Sequence, residues 1–312
     1  MAWRIGGALI LIALVLAIAQ RLFFGPTPAP HGALPPATYA SPTQAAPAAR
    51  ATLAAPPAGC QTNPRFDAAA GANATSAALA QWSVFGRPET GWQTYAPLIE
   101  HELGVVCPPQ SQAFAAALAS WQLAHRLPLS GAMDEATLRA LDVAWLSRRP
   151  FVAASGAGNC PDPPPFASLA AAAPGEGYLG KPVQLRPAAL AAYRRMVAAA
   201  RTESPAVAAD PKLLTLVSGY RDPAADAADC AAAGTCGTAA RAGTCSAHRT
   251  GLAMDLYLGA APGYDATSSA DPNRLYQSST PAYLWLVANA SRFGFVNYPF
   301  EPWHWEWTGE PP

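Results

Sequence analysis

Residues 26–58 hold nine prolines among Ala, Thr and Ser, a composition that buries no core and favours extended, polyproline-like backbone. The tract confines folded structure to the chain that follows it. It is read as a linker, with a reach of up to about 100 Å at about 3.1 Å per residue. Ahead of it, Arg4 precedes an apolar run from Ile5 to Ala19, then Gln20, Arg21, Leu22, Phe23 and Phe24. This is an export signal. Ala17, Ile18 and Ala19 have the small-x-small form of a cleavage site, while Trp3 to Phe24 nearly matches a bilayer. The reading adopted is an uncleaved anchor over residues 1–25, with a cleaved signal peptide as the alternative. Arg4 on the cytoplasmic side puts the rest of the chain outside the inner membrane.

The 312 residues exceed one typical domain, so two folded units are expected after the linker. Charged residues are 13% and the net charge is zero. No basic stripe is available to neutralise a phosphate backbone, and nucleic-acid binding is set aside. Six cysteines in an exported chain predict disulfides, since only Cys230 and Cys236 are close and they form no C-x-x-C pair. Their connectivity is not readable from spacing.

From about Trp82 to Trp145 the pattern is helical, with Phe114, Leu118 and Trp121 on one stripe. Asp134 is a candidate N-cap for a second helix bearing Leu138 and Leu141. Within residues 59–149, the stretch "FAAALASWQLAHRLPLSGAMDEATLRAL" resembles the small three-helix peptidoglycan-binding domain of wall hydrolases, Trp121 and Gln122 standing for its aromatic-Gln pair. A second Pro/Ala/Gly-rich linker covers 150–175. Residues 176–312 read as mixed α and β. A helix is expected over 186–203 with Pro187 in its first turn, and a strand over Leu213–Val217 followed by the turn "SGYRD". A further helix after Ser279 or Thr280 should stop at Gly294.

Chemistry concentrates in two segments. In "SAHRTGLAMDLYLG" (246–259) the alternation puts Leu252, Met254, Leu256 and Leu258 on one strand face and Asp255 on the other. A loop at Gly251 can fold His248 back towards the Asp255 carboxylate. In "FEPWHWEW" (300–307) Trp303, Trp305 and Trp307 share one face and His304 and Glu306 the other, while Pro302 turns Glu301 towards His304. Two imidazoles and an aspartate leave the fourth position of tetrahedral zinc open, as a catalytic site requires, and Glu301 is the candidate general base.

These residues resemble the zinc D-alanyl-D-alanine carboxypeptidases of the VanY kind, in the LAS group of metallopeptidases. The pattern S-x-H-x-x-G-x-A-x-D is met by Ser246, His248, Gly251, Ala253 and Asp255, and E-P-W-H by Glu301, Pro302, Trp303 and His304. "SGYR" (218–221) and "WLVANASRFGF" (285–295) fit as well. The resemblance implies an α+β, hedgehog-like fold with a small antiparallel sheet and flanking helices, preceded by the small helical domain. It implies Zn2+ on His248, Asp255 and His304, Glu301 as base, Arg221 with Ser246 holding a substrate carboxylate, and Tyr220 and Trp303 among the substrate contacts. A guanidinium fork suits a carboxylate. The implied activity is hydrolysis of the terminal D-Ala-D-Ala bond of peptidoglycan stem peptides. The implied location is the periplasmic side of a bacterial envelope, anchored to the inner membrane by the N-terminal segment. Alternatives are an endopeptidase cutting another stem or cross-bridge bond, and an inactive wall-binding relative, against which Glu301 argues.

Three departures from the family stand out: Asp226 where relatives often carry Gln, Glu306 and Trp307 where Arg and Tyr are more usual, and an Ala/Gly-rich insertion that Cys230, Cys236 and Cys245 are expected to staple. A serine peptidase with Ser-x-x-Lys fails, because residues Tyr178 and Ala209 stand three before the only lysines, Lys181 and Lys212. A Cys245–His248 peptidase would leave Asp255, Glu301 and His304 without a role.

Overall fold

The structure, a computed structural model, describes residues 55–156, 159–234, 236 and 244–312. The expected anchor at 1–25 and most of the first linker lie outside the described residues. Among the described residues, no helix is long and apolar enough to cross a membrane.

The first part of the described chain comprises α1 (Asp67–Leu79), β1 (Gln81–Trp82) paired with β2 (Glu89–Thr90), α2 (Ala96–Leu103), α3 (Gln112–Ala124) and α4 (Glu135–Leu146). Residues 59–149, read as a three-helix domain, hold four α-helices: three lie in the stretch from Trp82 to Trp145 read as helical, one precedes it, and Trp82 itself lies in a two-residue strand. The first was illegible because its buried face is Ala70, Asn73 and Ala77, which gives no apolar stripe. Asn73 is held by hydrogen bonds to Gly131 and Met133 instead. The later helices follow the sequence. Phe114, Leu118 and Trp121 are buried on α3, and Asp134 accepts from the backbone of Thr137 at 2.7 Å to cap α4. Cys60 and Cys107 tie the start of this region to the turn before α3.

After α5 (Pro150–Ala154) the chain forms β3 (Ala170–Ala171) and β4 (Gln184–Leu185), then α6 (Pro187–Glu203), α7 (Pro205–Ala209), β5 (Leu216–Ser218) and α8 (Pro223–Ala233). It ends with β6 (Ala253–Leu256), α9 (Asp271–Ser278), α10 (Pro281–Asn289), β7 (Phe295–Asn297) and β8 (His304–Trp307). The result is an α+β arrangement around a four-stranded antiparallel sheet of order β5-β6-β8-β7. One face of the sheet buries Met254, Leu256, Trp303 and Trp305 against Leu190 and Met196 of α6 and Tyr283 and Leu286 of α10. Thr280, rather than Ser279, caps α10, and Gly294 at φ 82° ends the turn that follows it. The strand expected at Leu213–Val217 begins only at Leu216, because Leu213 closes a turn onto Asp210 and Leu214 takes φ 64°.

The helical region is joined to this sheet through its own core. Tyr298 and Phe300, in the loop between β7 and β8, pack with Phe85, Tyr95, Phe114 and Leu118 in one apolar cluster. Beside them Arg274 of α9 is fully buried. It donates from Nε to the Phe300 carbonyl at 2.7 Å, from Nη1 to Glu89 at 2.5 Å, and from Nη2 to the Tyr95 hydroxyl.

Candidate metal centre and active site

The sheet register builds the site. Asp255 on β6 is the Cα partner of Ser218 on β5 and of His304 on β8, so three segments meet in one row. On the polar face Asp255 lies between two imidazoles. Its Oδ2 is 3.2 Å from His248 Nε2 and its Oδ1 is 3.0 Å from His304 Nδ1. One donor atom from each of the three residues lies within 4.8 Å of the others, and all three residues are buried.

His248 is delivered by a 3-10 turn, Ala247–Thr250, that ends at Gly251 with φ 71°. A Cβ at Gly251 would press on Leu169 and Arg186 at 3.1 and 3.2 Å, in a backbone conformation L-residues avoid. The His248 Nδ1 stands 2.7 Å from the Gly219 carbonyl. With the proton on Nδ1 the Nε2 lone pair is free to face Asp255, the orientation metal-ligating histidines take. Gly219 must be glycine, since a Cβ there would fall 2.5 Å from Val183 and 2.6 Å from the Gln184 carbonyl. His304 is set the other way round, with Nδ1 towards Asp255 and Nε2 3.4 Å from the Glu306 carboxylate. That Nε2 is buried without a well-formed hydrogen bond. Two imidazole lone pairs and a carboxylate oxygen converging on one point form a donor set that fits zinc.

The local fields are uneven. Burial and the nearby Arg221 hold the His248 imidazolium down. Burial opposes a proton on His304 too, but Asp255 and Glu306 outweigh it and push its pKa to about 9. Burial acts to raise the Asp255 carboxyl, yet the two imidazoles hold it well below the usual range. The Glu301 carboxyl lies 4.0 Å from His304 Nδ1, and burial raises its pKa. A tight turn sets it: His304 N–H donates to the Glu301 carbonyl at 2.9 Å, and Asn297 Nδ2 clips the His304 carbonyl at 2.8 Å.

A cavity of about 250 Å³ brings together His248, Asp255, His304, Glu301, Ser246, Arg221 and Trp303. Trp303 is also part of the apolar core, so it offers the cavity only part of its surface. Tyr220 belongs to a second, larger cavity of about 680 Å³, which shares Arg221, Asp229 and Asp255 with the first and continues past Lys181 and Gln184. Arg221 Nη1 is 2.6 Å from Asp229, and Ser246 donates its hydroxyl to Asp226 at 2.6 Å and its N–H to the other oxygen at 2.7 Å. The departure at Asp226 thus has a structural use: the fully buried carboxylate anchors Ser246.

Cys245 does not staple the insertion. It pairs with Cys160, fastening the chain before Ser246 to the segment after α5, and Cys230 pairs with Cys236 alone. The reason is packing, because Cys245 sits with Phe151, Ala247 and Ala253 in a small cluster at the end of α5. Two residues that sequence reasoning left without a role stand next to the ligands. Glu306 is fully buried against His304, and Arg149, from outside the C-terminal segment, holds it at 2.5 Å. The alternation in "HWEW" puts Glu306 on the polar face, but nothing in the sequence marks Arg149.

Residues 182–310 match the VanY family, D-alanyl-D-alanine carboxypeptidase. The match contains every residue lining the smaller cavity except Arg149. No curated protein was found to match the chain. The C-terminal segment, 182–310, is a VanY-type peptidase domain.

Proposed function

We propose that the protein is a zinc-dependent D,D-carboxypeptidase that removes the terminal D-alanine from peptidoglycan stem peptides, on the outer side of a bacterial inner membrane. The observation that carries this reading is the convergence of His248, Asp255 and His304 donor atoms within 4.8 Å, with the Glu301 carboxyl 4.0 Å from His304. His248 Nε2, Asp255 and His304 Nδ1 would hold the metal. When bound, zinc supplies Lewis acidity towards a carbonyl oxygen and towards water. Glu301 takes the proton of the attacking water and returns it to the leaving amine, a role suited to a carboxylate whose pKa burial raises. Arg221, at 23% side-chain exposure, reaches the cavity and offers a planar fork to a substrate carboxylate, which would displace Asp229. Three disulfides suit an oxidising compartment outside the cytoplasm, and the apolar run at 1–25 would serve as the anchor.

A second reading, an endopeptidase, is favoured by one observation. The larger cavity runs on beyond Arg221, and Arg221 already has Asp229 as a carboxylate partner. Product analysis separates the two. The oxidised full chain with zinc is expected to release one alanine from a pentapeptide stem, with the activity abolished by chelator and indifferent to penicillin. Release of a larger fragment would select the endopeptidase, and no cleavage of either kind would overturn the hydrolase reading.

A further inference from the structure

The metal-binding half of the site lies within residues 182–310, but its support does not. Glu306 Oε1 faces His304 Nε2 at 3.4 Å, and the same oxygen receives Arg149 Nε at 2.6 Å and Nη2 at 2.5 Å. The other oxygen, Oε2, accepts the Phe151 N–H at 3.1 Å. Arg149 and Glu306 are 1% and 2% exposed at their side chains, and the guanidinium lies 4.1 Å from the Tyr298 ring centroid. Two buried carboxylates, Asp255 at Nδ1 of His304 and Glu306 at Nε2, would both be drawn to any cation in the site. With Arg149 bound, Glu306 is neutralised, and its Oε1 stands beside the outer nitrogen of His304. An acceptor placed beside the outer nitrogen of a ligating imidazole favours the proton there and so sets the tautomer and ring angle.

We propose that Arg149 is a positioning residue for the metal centre, acting through Glu306 to fix His304 with Nδ1 free to bind, so that the chain preceding the family domain completes the site. The proposal rests on the zinc reading above and goes beyond it in making metal affinity depend on a residue outside the catalytic domain. It also gives the departure at Glu306 a meaning, since an acidic residue next to the second histidine is tolerable only with a buried cation to meet it.

The test is zinc affinity of the oxidised full chain, measured by competition with a chromophoric chelator, beside the melting temperature of the metal-free proteins. Arg149→Met and Glu306→Leu are each expected to weaken zinc by about tenfold or more, within the range found for partners of metal ligands. Glu306→Gln, whose amide oxygen can occupy the place of Oε1 beside Nε2, is expected to retain most of the affinity. The double variant Arg149→Met with Glu306→Leu carries no unpaired buried charge. It is expected to bind zinc no more weakly than Glu306→Leu alone, because Arg149 acts only through Glu306. Wild-type affinity in Arg149→Met, or losses that add in the double variant, would overturn the proposal while leaving the zinc site standing. Should Arg149→Met fail to fold, the double variant decides, and wild-type affinity there overturns it. Absence of zinc binding by the wild-type chain would sink the metal reading and this proposal with it.

Discussion

Asp255 and His304 are cross-strand neighbours in the pairing of β6 with β8, and their side chains meet at 3.0 Å. Two donor groups 49 residues apart are therefore fixed by sheet register and not by loop conformation. A slip of one residue would bring Met254 or Trp305 to the polar face and bury the carboxylate in the apolar core. The core residues on the back of the sheet are thus as much a condition of the site as the ligands are.

His304→Ala removes one donor and leaves Asp255 facing His248 and, at 3.7 Å, Arg221. Zinc added in equimolar amount is expected to stay with a competing chelator in this variant and to leave it in the wild type. Retention of wild-type zinc affinity by His304→Ala would remove it from the ligand set.

Glu301→Gln keeps the size of the side chain and the turn around it but cannot take a proton. Zinc affinity should be preserved while kcat falls by about 10²–10⁴. In the wild type the base must be ionised, and burial raises its pKa. Activity is therefore expected to be lost as pH falls and the carboxylate takes up a proton. Stopped or continuous assays of kcat/KM against pH would show this acid limb, and the same limb in the residual activity of Glu301→Gln would refute the assignment.

Much of this site was legible in the sequence because it depends on local periodicity. The alternation through Leu252–Leu258 and Trp303–Trp307 fixes which side chains share the ligand face, and the glycine and proline positions fix the turns beside them. Thr280, Pro281 and Gly294 marked a helix in the same way. What was hidden depends on contacts between distant segments. Arg149 is one arginine in a loop, the pairing of Cys245 with Cys160 follows from packing, and α1 buries Ala70, Asn73 and Ala77 with no apolar stripe to announce it.

The joint between the helical region and the sheet predicts that the C-terminal segment does not stand alone. A fragment of residues 155–312 would expose Tyr298 and Phe300 and leave Arg274 and Glu306 without Glu89, Tyr95 and Arg149. It is expected to bind a hydrophobic dye, melt well below the full chain and lose activity. A fragment as stable as the full chain would show the joint to be dispensable.

The bridge from Cys160 to Cys245 closes a sequence separation of 85 residues and ends one residue before Ser246. Replacing both by alanine is expected to cost about 2–4 kcal/mol of stability, by relaxing the unfolded chain less tightly held. Because Cys245 is wholly buried and adjoins the turn that carries His248, the substrate KM should rise as well. Denaturant titration and steady-state kinetics on the double variant read both effects.

Asp142 on α4 offers a pH-dependent prediction away from the ligands. It is 8% exposed, and its Oδ1 is buried without a hydrogen-bond partner. Burial pushes its pKa up to about 7, with Arg149 and Arg139 opposing and Glu89 reinforcing. In the unfolded chain the group titrates as an ordinary aspartate. Between those two values the folded state binds the extra proton, so this contribution is fully present below about pH 4 and is lost as pH rises towards 7. A shift of this size corresponds to at most ~4 kcal/mol. Asp142→Asn carries no charge to desolvate. Measured on metal-free protein by denaturant midpoints, its stability relative to wild type is expected to increase from pH 4 to pH 7 and to level off above. A difference that stays constant across that range would show that Asp142 ionises in the folded protein as readily as in the unfolded chain.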